Sequence, residues 1–224
     1  MPLRIALLTA LLAAAAPAAA QTDVPEQPRE PIRTRVYVGP QISPATPGAS
    51  DVSFGPFFDI SRARGDRPFT FGAPDESFGF TLAHVGPVEF GPSLGFESKR
   101  RALDIGVPLH GVGFSFELGG FAQAWLTPDI RVRAEARKAV SGHRGWVGEV
   151  SADYVGRDGD NWLLSFGPRV TLADTRYHRA WYGITPADSA APGLPSYTPG
   201  GVVAGVGSKI GYLGELDRHW GIAA

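Results

Sequence analysis

The residues with the most capacity for chemistry fall in DIRVRAEARKAV, Asp129–Val140. Arg131, Arg133, Glu135 and Arg137 take alternate positions there, with Ile130, Val132, Ala134 and Ala136 between them. Glu149, Asp153 and Arg169 stand in similar alternating runs further along. Brought to one side of a sheet, these charges would either line a pore or fill an interior by pairing Arg with Glu and Asp. In a narrow barrel the long side chains reach across, so the alternation favours a filled, structural interior.

Reactive groups are sparse. The chain has no cysteine, which excludes disulfides, thiol nucleophiles and thiolate zinc sites. Its five histidines are scattered without a two-histidine metal spacing. Asp174, His178 and Ser189 are the residue types of a hydrolase triad, but no nucleophile elbow surrounds the serine. RDGDN, Arg157–Asn161, lacks the later ligands of a calcium loop, and Asp-Gly between two strands is a hairpin turn. Arg64-Gly65-Asp66 falls on another turn. Lys99, Arg100 and Arg101 form a cluster suited either to the phosphates of lipopolysaccharide or to plain solvation. No catalytic residue, metal site or cofactor is expected, and the protein is read as a non-enzyme.

The elements that carry the charges are strands. Apolar residues at every second position, rather than at three- and four-residue spacing, exclude an amphipathic helix for Asp129–Val140. The same habit recurs: Phe90, Leu94 and Phe96 oppose Glu89, Ser93 and Glu97, and Phe114, Phe116 and Leu118 oppose Ser115 and Glu117. Strands are expected at 35–43, 52–63, 68–73, 76–85, 87–98, 111–126, 129–140, 145–156, 161–173 and 201–214, with an eleventh beginning near Arg218. The 29 glycines and 20 prolines supply the turns. Gly-Pro pairs follow Val38, Phe54, Val85, Phe90 and Phe166, where a strand kinks or meets a boundary, or where composition alone produces them.

Alternation fits a soluble sandwich with its apolar side inward, or a transmembrane barrel with that side in lipid. Strands of ten or more residues suit a tilted membrane crossing. Trp125, Trp146, Tyr154, Trp162 and Trp220 sit near strand ends, as a girdle would place them. From a periplasmic N-terminus, RARGDRP, VG, LTPD, GRDGDN and GELD are short inner turns. SPATPGAS, KRRALDIGVPLH and the long run from Ala173 to Gly201 are outer loops. Only the connection from Gly72 to Glu76 is short for an outer loop. The fold class is therefore all-β: an antiparallel up-and-down transmembrane β-barrel.

Export is written at the N-terminus. Arg4, the apolar run Ile5–Ala16 and Ala18-Ala19-Ala20 have the form of a secretory signal peptide, residues 1–20, cut before Gln21. Residues 21–34 read as a disordered, proline-rich leader and 35–224 as the barrel. A net charge of −1 gives no footprint for nucleic acid.

Tyr182-Gly183-Ile184-Thr185-Pro186, Ser189-Ala190, Gly193-Leu194-Pro195, Tyr197, Gly200-Gly201 and Arg218-His219-Trp220 resemble the MipA/OmpV family. So do FGPSLGF, Phe90–Phe96, and LSFGPRVTLAD, Leu164–Asp174. The family-motif loop thus comprises Tyr182, Gly183, Pro186, Ser189, Gly193, Leu194, Pro195 and Tyr197. The resemblance implies a barrel in the outer membrane of a Gram-negative cell. It implies a scaffold role linking a murein hydrolase (a lytic transglycosylase) to a murein synthase, in contact with outer-membrane lipid and lipopolysaccharide. Such chains usually continue beyond the His-Trp pair, so the expectation is about ten strands present of about twelve, with a C-terminal truncation and an incompletely closed barrel. A small-solute channel, a surface adhesin and a soluble periplasmic ligand-binding barrel are the alternatives.

Overall fold

Period-two alternation produces long antiparallel strands in the computed structural model, which describes residues 30–44, 52–101, 109–190, 194–217 and 219–224. In chain order these are β1 (Ile32–Pro44), β2 (Val52–Arg64), β3 (Phe78–Gly79), β4 (Ala83–Val85), β5 (Val88–Glu97), β6 (Ser115–Thr127), β7 (Ile130–Ala139), β8 (Trp146–Asp158), β9 (Trp162–Ala173), β10 (Val203–Glu215) and β11 (Gly221–Ala223). A helix, α1 (Thr175–Tyr182), follows β9. Every pairing is between antiparallel neighbours, in the order β11-β10-β9-β8-β7-β6-β5-β3, with β4 also on β5. The sheet curls into a half-barrel, and β1–β2 form a separate ribbon.

The two faces of the sheet are chemically opposite. Arg131, Ser151, Asp153 and Ser165 are buried on the concave side, while Ile130, Val150, Tyr154, Leu164 and Phe166 are exposed on the convex side. In water that convex surface would be an unfavourable apolar patch of unusual extent; in hydrocarbon it is the contact face. Among the described residues no helix is long and apolar enough to cross a membrane.

Turns are short at one end of the sheet: Gly65–Asp66, Gly86–Pro87, Pro128–Asp129 and Gly159–Asn161. Gly159 has φ 53°, the left-handed geometry expected of the Asp-Gly hairpin. The opposite end carries the long connections. In the two-stranded ribbon Pro40 of β1 faces Pro56 of β2. At Gly167 a Cβ would run into the carbonyl oxygen of Ala152, so the glycine before Pro168 allows close approach between β8 and β9.

The expected strands at 68–73 and 76–85 are the correction. Residues 67–77 form no strand, and only the short β3 and β4 appear in the second span. Pro68 and Pro74 lack donors, and the segment turns inward rather than along the wall. Phe69, Phe71 and Ala73 are buried on the concave side of the sheet. Their alternation imitates a strand because every second side chain meets the interior. Phe71 and Ala73 pack with Val155 and Leu163, flanked by Trp125 and Leu213.

β1 begins at Ile32, three residues inside the expected leader. The expected signal peptide, Gly193 and Arg218 lie outside the described residues, as do residues 45–51 and 102–108 of the expected outer loops.

Candidate functional site

The inward positions of β7 set out Arg131, Arg133, Glu135 and Arg137 along one line, and the neighbouring strands supply their partners. Arg131 faces Asp153 in register, and its Nη2 lies 2.9 Å from the Asp153 carboxylate. Nη2 also pairs with Glu76, while Nη1 donates to the carbonyl of Phe71 at 3.3 Å. The guanidinium stacks 4.3 Å from the Phe71 ring centroid. Arg169 of β9 reaches Asp153 at 2.7 Å and Asp75 at 3.1 Å, with Glu149 at 3.9 Å. Carboxylates of the wall and of the inner segment are thus shared between two arginines.

A second group lies one step along β7. Arg133 donates to Glu135 at 2.6 Å and to Gln123 at 3.0 Å, and stacks on Phe121. Ser77 donates to Glu135 at 2.7 Å. Arg137 pairs with Glu135 and, at 2.7 Å, with Glu117. Buried charges are tolerated only when paired and hydrogen-bonded, and these carboxylates all face donors.

The inner segment is tied down by its backbone as well. Arg157 donates to the Phe69 carbonyl at 3.1 Å, and the Phe69 N–H donates to Asp160 at 2.9 Å. Backbone groups that would otherwise need a ladder partner are satisfied by interior side chains instead.

Above these groups, towards the long loops, Glu97, Glu117 and His143 converge with their ligand atoms within 4.8 Å of one another. A carboxylate-rich set of this kind would suit a hard divalent cation. The Gly145 N–H donates to His143 Nδ1 at 3.0 Å, which leaves the ring proton on Nε2. Nε2 lies 2.8 Å from Glu117 and 3.5 Å from Glu97, so the imidazole acts as a donor and not as a metal ligand. Tyr177 of α1 donates to Glu97 at 3.2 Å and stacks edge-on against His143. Burial pushes the Tyr177 phenol well above its ordinary value, and the charge of Glu97 adds to this.

Helix α1 lies across the long-loop end. Asp174 caps it by accepting from the Tyr177 N–H at 2.9 Å, and Tyr177 and Trp181 pack with Val112, Val147 and Ala173. Arg100 is buried and donates to the carbonyls of Trp181, Ala180 (3.2 Å) and His110 (2.9 Å). It therefore clamps two loops together, and the phosphate-binding reading of its cluster does not extend to it. His110 Nδ1 lies 2.8 Å from Asp188, which also accepts from Thr185. Within the family-motif loop, Ser189 donates to Leu194 O at 2.6 Å, and Ile184 bridges Tyr197. Tyr182 packs beside the helix core; Gly183, the C-cap of α1, donates its N–H to Arg179 O. Pro186 and Pro195 are exposed near these bonds.

Asp174, His178 and Ser189 form no relay: the first caps a helix, the third holds a loop carbonyl. Sequence reasoning did not single out Asp75, Glu76, Glu97, Glu117, Gln123 or His143. Glu97 and Glu117 carry the same alternation signal as Arg131; the others carry none.

An antiparallel sheet of long strands, apolar on its convex face and ion-paired on its concave face, defines a β-barrel of the outer-membrane class. The chain belongs to the MipA family: the family model described as MltA-interacting protein MipA matches residues 36–224. Neither the curated proteins nor the solved structures contain a match to the chain.

Proposed function

We propose that the protein is a non-enzymatic outer-membrane scaffold that holds a lytic transglycosylase, and with it a murein synthase, at the periplasmic face. The observation that carries the scaffold reading over a channel is the inner segment Phe69–Ser77, bonded to arginines of β7, β8 and β9. A conduit would keep that space for water and solute. Asp75, Glu76, Glu117, Glu135 and Asp153 are paired with arginines, and Glu97 meets His143 and Tyr177 instead. The partner comes from the family's description as MltA-interacting.

In this reading residues 1–20 are a cleaved signal peptide, 21–34 a periplasmic leader and 35–224 the barrel. The short turns Gly65–Asp66, Pro128–Asp129 and Gly159–Asn161 form the inner face. The seven interior charges hold the wall in shape, and the motif-loop residues 182–190 and 194–197 lie at the outer end.

The test is capture. The purified full chain, immobilised in detergent, retains a purified lytic transglycosylase, and a chain lacking residues 21–31, which leaves β1 intact, retains less. Absence of retention by the full chain overturns the partner. Steady conductance of the full chain in planar bilayers overturns the filled interior.

A further inference from the structure

The lipid-facing wall is not uniform. Where β7, β8 and β9 approach the long-loop end, an apolar groove of about 380 Å³ opens on the convex side. Ala136 faces Gly148 across β7–β8, and Gly148 faces Leu172 across β8–β9. Ala136 and Gly148 make the floor, while Trp146, Leu172 and Val202 make the walls.

The mouth of the groove is cationic. Lys138 pairs in register with Trp146, and its ammonium sits 5.6 Å from the indole ring, anchored on the carbonyl of Arg144. Arg144 and Arg176, close in sequence to the lining residues Trp146 and Thr175, are exposed. The acidic group there, Asp174, is engaged by the N–H of Tyr177 and carries a carboxyl held below its ordinary value: burial raises it, and backbone donors more than offset that.

We propose that this groove is a binding site for one acyl chain of a phosphorylated, multiply acylated glycolipid of the outer leaflet, with the lipid phosphate on Lys138. An apolar groove with a cation beside the indole at its edge matches a molecule whose chain meets a phosphate at the membrane boundary. A zwitterionic lipid offers no net charge to the rim. An anionic phospholipid offers a single phosphate and two chains that need no slot. The site rests on the long-loop end facing outward in the outer membrane.

The experiment uses the full chain purified in neutral detergent and mixed in turn with lipid A, phosphatidylglycerol and phosphatidylethanolamine, with retained lipid counted by native mass spectrometry. One lipid A is expected to stay bound in preference to either phospholipid. Lys138→Gln and Ala136→Phe should each weaken retention about tenfold, the equivalent of one charge-assisted bond. Ala134→Phe, outward on the same strand but outside the groove, should retain lipid A as the parent chain does. Heat-modifiable migration on gels reports that each variant is folded. Equal retention of all three lipids, or retention unchanged in both groove variants, overturns the site. Release of the protein from membranes by carbonate overturns the membrane placement instead, and the site with it.

Discussion

Arg131 and Asp153 lie opposite each other on β7 and β8, 2.9 Å apart, each with only 1% of its side chain exposed. Asp153 also accepts from Arg169, and Arg131 also donates to Glu76, so the pair is the centre of a network that joins the wall to the inner segment. Arg131→Ala leaves two carboxylates short of their donor. Removing one member of a buried pair costs about 3–5 kcal/mol. Urea unfolding from lipid vesicles should show that loss, and a double variant Arg131→Met, Asp153→Leu should recover only part of it, because Glu76 then lacks its guanidinium and Arg169 loses one carboxylate.

Phe166 sits midway along β9 with its ring exposed on the convex face. In hydrocarbon an arginine at such a position costs about 2–4 kcal/mol. Phe166→Arg should therefore lower the unfolding midpoint in vesicles, whereas Phe166→Leu should leave it nearly unchanged. A protein whose apolar face lay in a dry centre would be damaged by both.

Close approach of β8 and β9 depends on Gly167, where an added methyl meets the Ala152 carbonyl. Gly167→Ala should destabilise the sheet by about 1–3 kcal/mol. At Gly55 of β2 an added methyl meets nothing within 4 Å. Gly55→Ala should therefore stay within about 0.5 kcal/mol of the parent chain. Parallel denaturant titrations compare the two.

Asp188 links its loop to the loop bearing His110, and its carboxyl is held well below the usual range by the His110 ring and by the N–H of Thr185. A depressed carboxyl contributes stability above its unfolded value and loses it as pH falls through the folded one, so the clamp should persist from neutrality to about pH 4 and open in stronger acid. Hydrogen exchange over residues 184–190, corrected for intrinsic rate, should rise only below that point. In Asp188→Asn it should be raised already at neutral pH.

The wall of the barrel was readable because its signal is local. Ile130 and Arg131 differ in environment through strand geometry alone, and alternation reports that directly. The interior segment was misread for the same reason. Phe69, Phe71 and Ala73 alternate like a strand, but Phe71 is held by Arg131, 60 positions away, and Phe69 by Arg157, 88 positions away. Nothing near Asp75 or Glu76 announces a guanidinium across the sheet. Pro68 and Pro74 were the available warning. Helix α1 falls within the expected outer loop, although Asp174 as a cap and Tyr177 and Trp181 at i, i+4 are legible signals of it.

The interior filling is covalently continuous with the wall, since the chain leaves β2, crosses the concave side and rejoins the sheet at β3. Such a filling cannot diffuse away or be exchanged for another molecule.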